Sequence, residues 1–222
     1  MHYWYQEDYD IPLTGLVYCG AHIGHKLGEF SRAGFRSILA IEPNPDDFVK
    51  LEKFSSDVVE CVNAAVWHEN GTASYLMIDG FPKLNSLFLP NEDFWVARHG
   101  KEVKDIPVRE VQVPCVTLDT LLAARGHRYN FLYMNIQGGE LSALQGAPNS
   151  LRGIDIIETE VNLLPRYDGG AVLGDLEKFL ARNEFRRIEY SEKTEHGLGQ
   201  ATYINGRLKR RQVDLQNLRH EG

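Results

Sequence analysis

Short apolar runs alternate along the chain with segments in which apolar residues return every three or four positions, the pattern of strand–helix–strand units and a mainly parallel sheet. The runs Leu16–Cys19, Ser37–Ile41, Val58–Val62, Phe131–Ile136 and Asp155–Val161 predict strands. Between the first two, Ile23, Leu27 and Phe30 share a helical face, and Gly34 marks its stop. After the second strand, Asn44 is a capping residue, Pro45 suits the first helical position, and Asp46 and Asp47 favour a helix N-terminus; Phe48, Leu51 and Phe54 supply the apolar face. Two further helices are predicted over Gly139–Gln145, stopped by Gly146 to Pro148, and over Val172–Arg182. The segment FRRIEYSEKTEHGLGQATYI reads as two strands joined by a glycine-containing loop.

Residues 79–110 show no clear period, and a long irregular segment of this kind predicts a functional cover. The domain is expected to occupy 1–206. Residues 207–222, with Arg207, Lys209, Arg210 and Arg211, read as a polar tail that is either solvated or an arm for a homo-oligomer.

Composition adds exclusions. A chain of 222 residues with 43% hydrophobic and 25% charged content suits one α/β domain, and a net charge of -7 argues against nucleic acid as a partner. Cys19, Cys61 and Cys115 are widely separated and suggest neither a disulfide framework nor a zinc site; no metal is expected. The start MHYWYQEDYD lacks the basic and apolar regions of a signal peptide, and no run is long enough to cross a bilayer, so a cytoplasmic setting and no membrane partner are expected.

The stretch LVYCGAHIGHKLGEF, Leu16 to Phe30, is a strand, a glycine turn and a helix, the arrangement that places a ligand at the carboxyl ends of an open sheet. Glu42, at the end of the next strand, is placed to accept hydrogen bonds from ribose hydroxyls. Together they indicate a nucleoside-bearing cofactor. The dinucleotide fingerprint requires a middle glycine, and here Gly20-Ala21-His22-Ile23-Gly24 carries His22. That substitution disfavours a pyrophosphate and leaves S-adenosylmethionine, with an amino acid in place of phosphates. The competing reading is that Gly20 and Gly24 only permit tight packing.

YCGAHIGHKLGEFSRAGFRSILAIEPNPDDFVKL, CVNAAVW, VTLDTLL, FLYMNIQGGELSALQGA and IIETEVN occur in the order and approximate spacing of the FkbM-type S-adenosylmethionine-dependent methyltransferases, which the chain resembles from Leu16 to Ile204. The resemblance implies a Rossmann-like class I methyltransferase fold: a mainly parallel seven-stranded sheet with helices on both faces and a C-terminal antiparallel hairpin. It further implies that Gly20, Ala21, His22 and Gly24 form the cofactor loop, that Glu42 binds the ribose, and that Asn63 and Ala64 border the adenine. Asn135 and Gln137 are then near the methionine part and the transferring methyl. Tyr18 stands where the family usually has an acid, and Asn135-Ile136-Gln137-Gly138 where it usually has D-x-E-G, so two acidic positions are neutral here.

For proton removal, Glu160 at the end of the fifth predicted strand and His196 in the hairpin loop are the candidates; a structural acceptor and a surface histidine are the respective alternatives. Glu140, in the first turn after QGG, reads as a helix cap. Phe81, Phe88, Phe94 and Trp95, with Tyr3, Trp4 and Tyr5, either cover an acceptor pocket or pack a subsidiary core. The expectation is methylation of a hydroxyl on a small or sugar-containing molecule, the oxygen specificity coming from the resemblance. A nicotinamide-dependent oxidoreductase and a catalytically silent binding module of the same fold are the alternatives.

Overall fold

The structure, a computed structural model, describes residues 4–100, 102–125, 128–194 and 197–210. Helix α1 (Trp4–Tyr9) precedes β1 (Leu16–Cys19), which runs through α2 (Leu27–Ala33) to β2 (Ile38–Ile41) and through α3 (Pro45–Leu51) to β3 (Val59–Val62). The short β4 (Ala65–Val66) and the long β5 (Gly71–Ile78) follow, then α4 (Glu92–His99), β6 (Val108–Val116) and α5 (Leu118–Ala123). The order β7 (Phe131–Met134), α6 (Glu140–Gln145), β8 (Ile156–Asn162), α7 (Leu173–Arg182), β9 (Phe185–Thr194), β10 (Leu198–Asn205) completes the chain.

Seven strands form the main sheet in the order β3-β2-β1-β7-β8-β10-β9. The first five are parallel, while β10 is antiparallel to both β8 and β9. Side-chain alternation splits the core across the sheet: Val17, Cys19, Leu39, Ile41, Leu132 and Met134 pack on one face, and Leu16, Tyr18, Ile38, Ala40, Phe131 and Tyr133 on the other. Burial on both faces is why these strands read as continuous apolar runs.

The local signals act as their chemistry dictates. Asn44 Oδ1 accepts the Asp46 N–H at 3.0 Å to cap α3, with Pro45 opening the helix, and α2 ends at Gly34 with φ of 96°. Two differences are instructive. Ile23 lies in the turn before α2, and Phe54, placed by periodicity on the apolar face of α3, lies beyond that helix and is 48% exposed.

The segment 79–110 is not featureless. It extends from β5 to β6, the antiparallel pair of a second sheet ordered β4-β6-β5, and it contains α4, capped by Asn91. Sequence pattern misses β6 because Pro114 interrupts it and its exposed face carries polar residues, both signals that weigh against a strand.

At the end of the main sheet opposite the cleft, Asp155 is buried and accepts Asn130 Nδ2 at 2.8 Å, Arg128 Nη2 at 3.0 Å and Arg207 Nη2 at 2.5 Å. Arg207 and Arg210, at the start of the segment read as a solvated tail or an oligomer arm, bond to the body of the domain, Arg210 through Asp8 at 3.0 Å. Because both arginines that face Asp155 are partly exposed and screened by water, Asp155→Asn is expected to cost about 1 kcal/mol, measured as a fall of about 3 °C in the melting temperature.

Candidate active site

A cavity of about 640 Å³ opens over the carboxyl ends of β1, β2, β7 and β8, and its roof is the segment between β5 and β6. The position is the crevice where strand order reverses around β1 and β7, and the volume suits a nucleotide-sized ligand.

Of the residues singled out from sequence, Gly20, His22, Glu42, Ala64, Asn135, Gln137 and Glu160 all line this one cavity. Ala21, Gly24 and Asn63 stand behind it. Asn63 Nδ2 donates to the carbonyls of Glu42 and Pro43 at 2.7 and 3.1 Å, so it ties the β2 exit to β3. His196 lies outside the described residues.

The glycine turn is built by its own hydrogen bonds. Gly20 and Ala21 N–H both donate to the Ile41 carbonyl at 3.0 Å, His22 N–H donates to Glu42 Oε2 at 2.7 Å, and Gly24 N–H donates to Ala21 O at 2.9 Å. These four amides are therefore bonded within the protein, and the turn meets the cavity through Gly20 and His22. Gly20 is required for a second reason: its φ is 77°, and a Cβ there would sit 2.0 Å from the Asn135 carbonyl oxygen. Gly24, with φ of 86°, lies against the Phe54 ring.

Glu42 is 4% exposed, and each of its oxygens accepts one backbone N–H, Oε2 from His22 and Oε1 from Asn44 at 2.9 Å. A carboxylate offers about four lone-pair sites, so further acceptor capacity is left on a cavity wall. Burial pushes its carboxyl up to about 7, against the two backbone donors that stabilise the anion. His22 Nε2 lies 3.4 Å from Asp47 Oδ2, and burial holds the imidazole below its usual range.

The other half of the floor is a side-chain network after β7. Tyr167 OH donates to Gln137 Oε1 at 2.7 Å, and Gln137 Nε2 donates to Asn135 Oδ1 at 2.5 Å and Glu160 Oε1 at 3.3 Å. These bonds fix the Gln137 amide in one orientation. Its backbone is in the left-handed region, φ of 54°, and Ser86 Oγ holds its carbonyl at 2.7 Å. Glu140 is buried and accepts the Ile136 and Gly138 N–H groups at 2.9 and 3.0 Å, so it caps this loop. Tyr18, where an acid was the expected residue, packs edge-on against Phe30 and Tyr133.

In the roof, Phe81 lines the cavity, whereas Trp95 is 2% exposed and packs edge-to-face against Phe81 and tilted against His99. Phe88 packs on Trp67, and the Arg166 guanidinium lies over Phe94 at 4.9 Å. The covering and the packing readings of this aromatic group thus apply to different members of it; the side chains of Tyr3, Trp4 and Tyr5 lie outside the described residues. Tyr167 and Arg166 carry no local sequence signal, since they sit in an irregular loop and reach the site only through tertiary contact. Among the described residues no group of three His, Cys, Asp or Glu side chains is placed to hold a metal, and no helix is long and apolar enough to cross a membrane.

A five-stranded parallel core extended by an antiparallel hairpin, with a cleft at the β1–β7 switch point and a buried acid ending β2, defines a Rossmann-like class I methyltransferase. The sequence profile of the methyltransferase FkbM domain matches residues 19–187, and the chain belongs to that family. A search of curated proteins finds no significant match. Among solved structures, a protein of the NADB-Rossmann superfamily from Streptococcus agalactiae is similar, with TM-score 0.51 and 11% identity, over 99% of this chain and 73% of that one. The magnesium protoporphyrin IX methyltransferase of Synechocystis, solved with bound S-adenosylmethionine, gives TM-score 0.48 and 8% identity, over 88% and 73% of the two chains. The 1,6-didemethyltoxoflavin-N1-methyltransferase of Burkholderia thailandensis, solved with S-adenosylhomocysteine, gives TM-score 0.48 and 11% identity over 90% and 74%.

Proposed function

We propose that this methyltransferase takes S-adenosylmethionine as methyl donor and methylates a hydroxyl of a small molecule. The observation that carries the cofactor assignment is Glu42: a buried carboxylate with unused acceptor capacity at the end of β2, in the wall of a nucleotide-sized cavity. A dinucleotide finds less here, because His22 stands where the pyrophosphate-binding fingerprint has its middle glycine.

Glu42 accepts the ribose hydroxyls, and Ala64 leaves room for the base beside β3. Asn135 faces the amino-acid part from the end of β7. When bound, S-adenosylmethionine would supply a methyl carbon activated by its sulfonium, with the neutral thioether as leaving group. The protein's task is then to align the acceptor oxygen and to remove its proton. Glu160, oriented by Gln137, is the group assigned to that proton. His196 is the alternative assignment.

The test is calorimetric titration with S-adenosylhomocysteine, with NAD as the control, at pH 6 and pH 8. A protonated Glu42 has lost one acceptor oxygen, so affinity rises with pH through the Glu42 range near 7 and levels above it. The expected gain between the two pH values is about tenfold, and it vanishes in Glu42→Gln. Burial raises this midpoint and the Asp47 carboxylate adds to the rise, while the Asn44 and His22 backbone N–H groups oppose it. Binding of NAD in place of the adenosyl ligand would replace the methyltransferase reading of the site with a nicotinamide one.

A further inference from the structure

We infer that the acceptor carries an oxyanion, a carboxylate or a phosphate, and that Lys83, Arg98 and Arg166 seat it. This deepens the proposed function and rests on it. Within residues 79–110, acids outnumber lysines and arginines, with Asp79, Glu92, Asp93, Glu102, Asp105 and Glu110 against Lys83, Arg98, Lys101, Lys104 and Arg109. Yet the charged side chains this segment turns into the cavity are Lys83 and Arg98, with His99 beside them, and none of its acids lines the cavity.

The sorting is by pairing as well as by position. Lys104 pairs with Glu102 and Arg109 with Asp46 at 2.6 Å, away from the cavity. Lys83, Arg98 and Arg166, which line it, form no ion pair among the described residues. Arg166 enters from the loop after β8, with its guanidinium over Phe94 of α4 and its Nε buried without a hydrogen-bond partner. A guanidinium held over a ring is a planar fork suited to a bidentate oxyanion. In a chain of net charge -7, three cations without an ion pair thus face one cavity.

Among the described residues the acids of the cavity are three, and Asp47 among them acts together with Lys83 on the His22 imidazole. Glu42 and Asp47 stand at the β2–α3 side, and Glu160 is on the floor bonded to Gln137. Arg166 adjoins Tyr167, whose hydroxyl orients that same Gln137, so the seat for the anion and the floor are linked through one loop. Apolar walls from Phe81, Leu84, Leu87 and Trp67 suit the carbon frame of a small acceptor between them.

The test uses three probes of one shape, benzoate, phenyl phosphate and benzamide, titrated by saturation-transfer NMR against the full chain with and without S-adenosylhomocysteine. The anions are expected to bind about tenfold tighter than the neutral amide, with a preference that shrinks as salt is raised. Lys83→Gln/Arg98→Gln, at two exposed positions, and Arg166→Gln are each expected to reduce that preference to about twofold or less while leaving S-adenosylhomocysteine affinity unchanged. The tighter of the two anions identifies the carboxylate or the phosphate as the natural group. Equal binding of anions and amide by the unmodified protein would overturn the inference, as would a preference that survives in both variants. Failure of S-adenosylhomocysteine to bind the unmodified protein would instead remove the methyltransferase reading, a result distinct from the anion preference measured without it.

Discussion

Glu42→Ala is expected to weaken S-adenosylhomocysteine binding by about 1–3 kcal/mol, roughly 5- to 150-fold, the scale for leaving hydroxyls of a bound ligand without their acceptor. Two losses combine. The ribose loses its partner, and the His22 and Asn44 amides, which Glu42 now accepts at 2.7 and 2.9 Å, lose theirs, so the turn after β1 and the start of α3 are both released. Glu42→Gln separates the contributions, because the amide keeps one oxygen for a backbone donor and removes the charge. An Ala variant that melts normally and binds with unchanged affinity would take Glu42 out of the cofactor site.

Gly20→Ala is expected to be the more damaging change to the fold. Its backbone is left-handed, and the added methyl would meet the Asn135 carbonyl oxygen at 2.0 Å, an overlap with backbone that no rotamer relieves. Either β7 separates from β1 at its carboxyl end, or the turn swings out and breaks the two bonds to Ile41. The cost is about 4 kcal/mol, a fall of about 10 °C in the melting temperature, a large share of a typical domain's stability. Since Asn135 and Gln137 hang from the displaced end of β7, adenosyl-ligand binding is expected to fail with it. An unchanged melting temperature would show that the turn yields freely.

Much of this site was legible in the chain because its scaffold obeys local rules. LVYC between Gly15 and Gly20 reads as a buried strand and is one, and Asn44 with Pro45 reads as a helix start and is one. Glu42 could be found because a β2 end is a position that topology fixes. The roof could not. Its strands carry Pro114 and polar faces, and its sorting of cations inward is a tertiary property that a near-balanced count of acids and bases conceals. Arg166 and Tyr167 were missed for the same reason, since nothing about LLPRYDGG announces a guanidinium over a ring or a hydroxyl aimed at Gln137. The glycine turn was legible in place, since Gly20 and Gly24 both take the left-handed backbone a turn demands; that four of its amides bond within the protein is a tertiary fact no local motif reveals.

The base of the roof is a single paired register, Ile78 opposite Val108, so the segment between them departs from and returns to adjacent points of one hairpin. Closing that loop makes no demand on the seven-stranded sheet, which lies in a separate ladder. A chimera that exchanges residues 79–107 therefore leaves the pairing of the main sheet untouched but must retain Ser86 and Phe94, through which the segment holds the Gln137 carbonyl and lies under the Arg166 guanidinium.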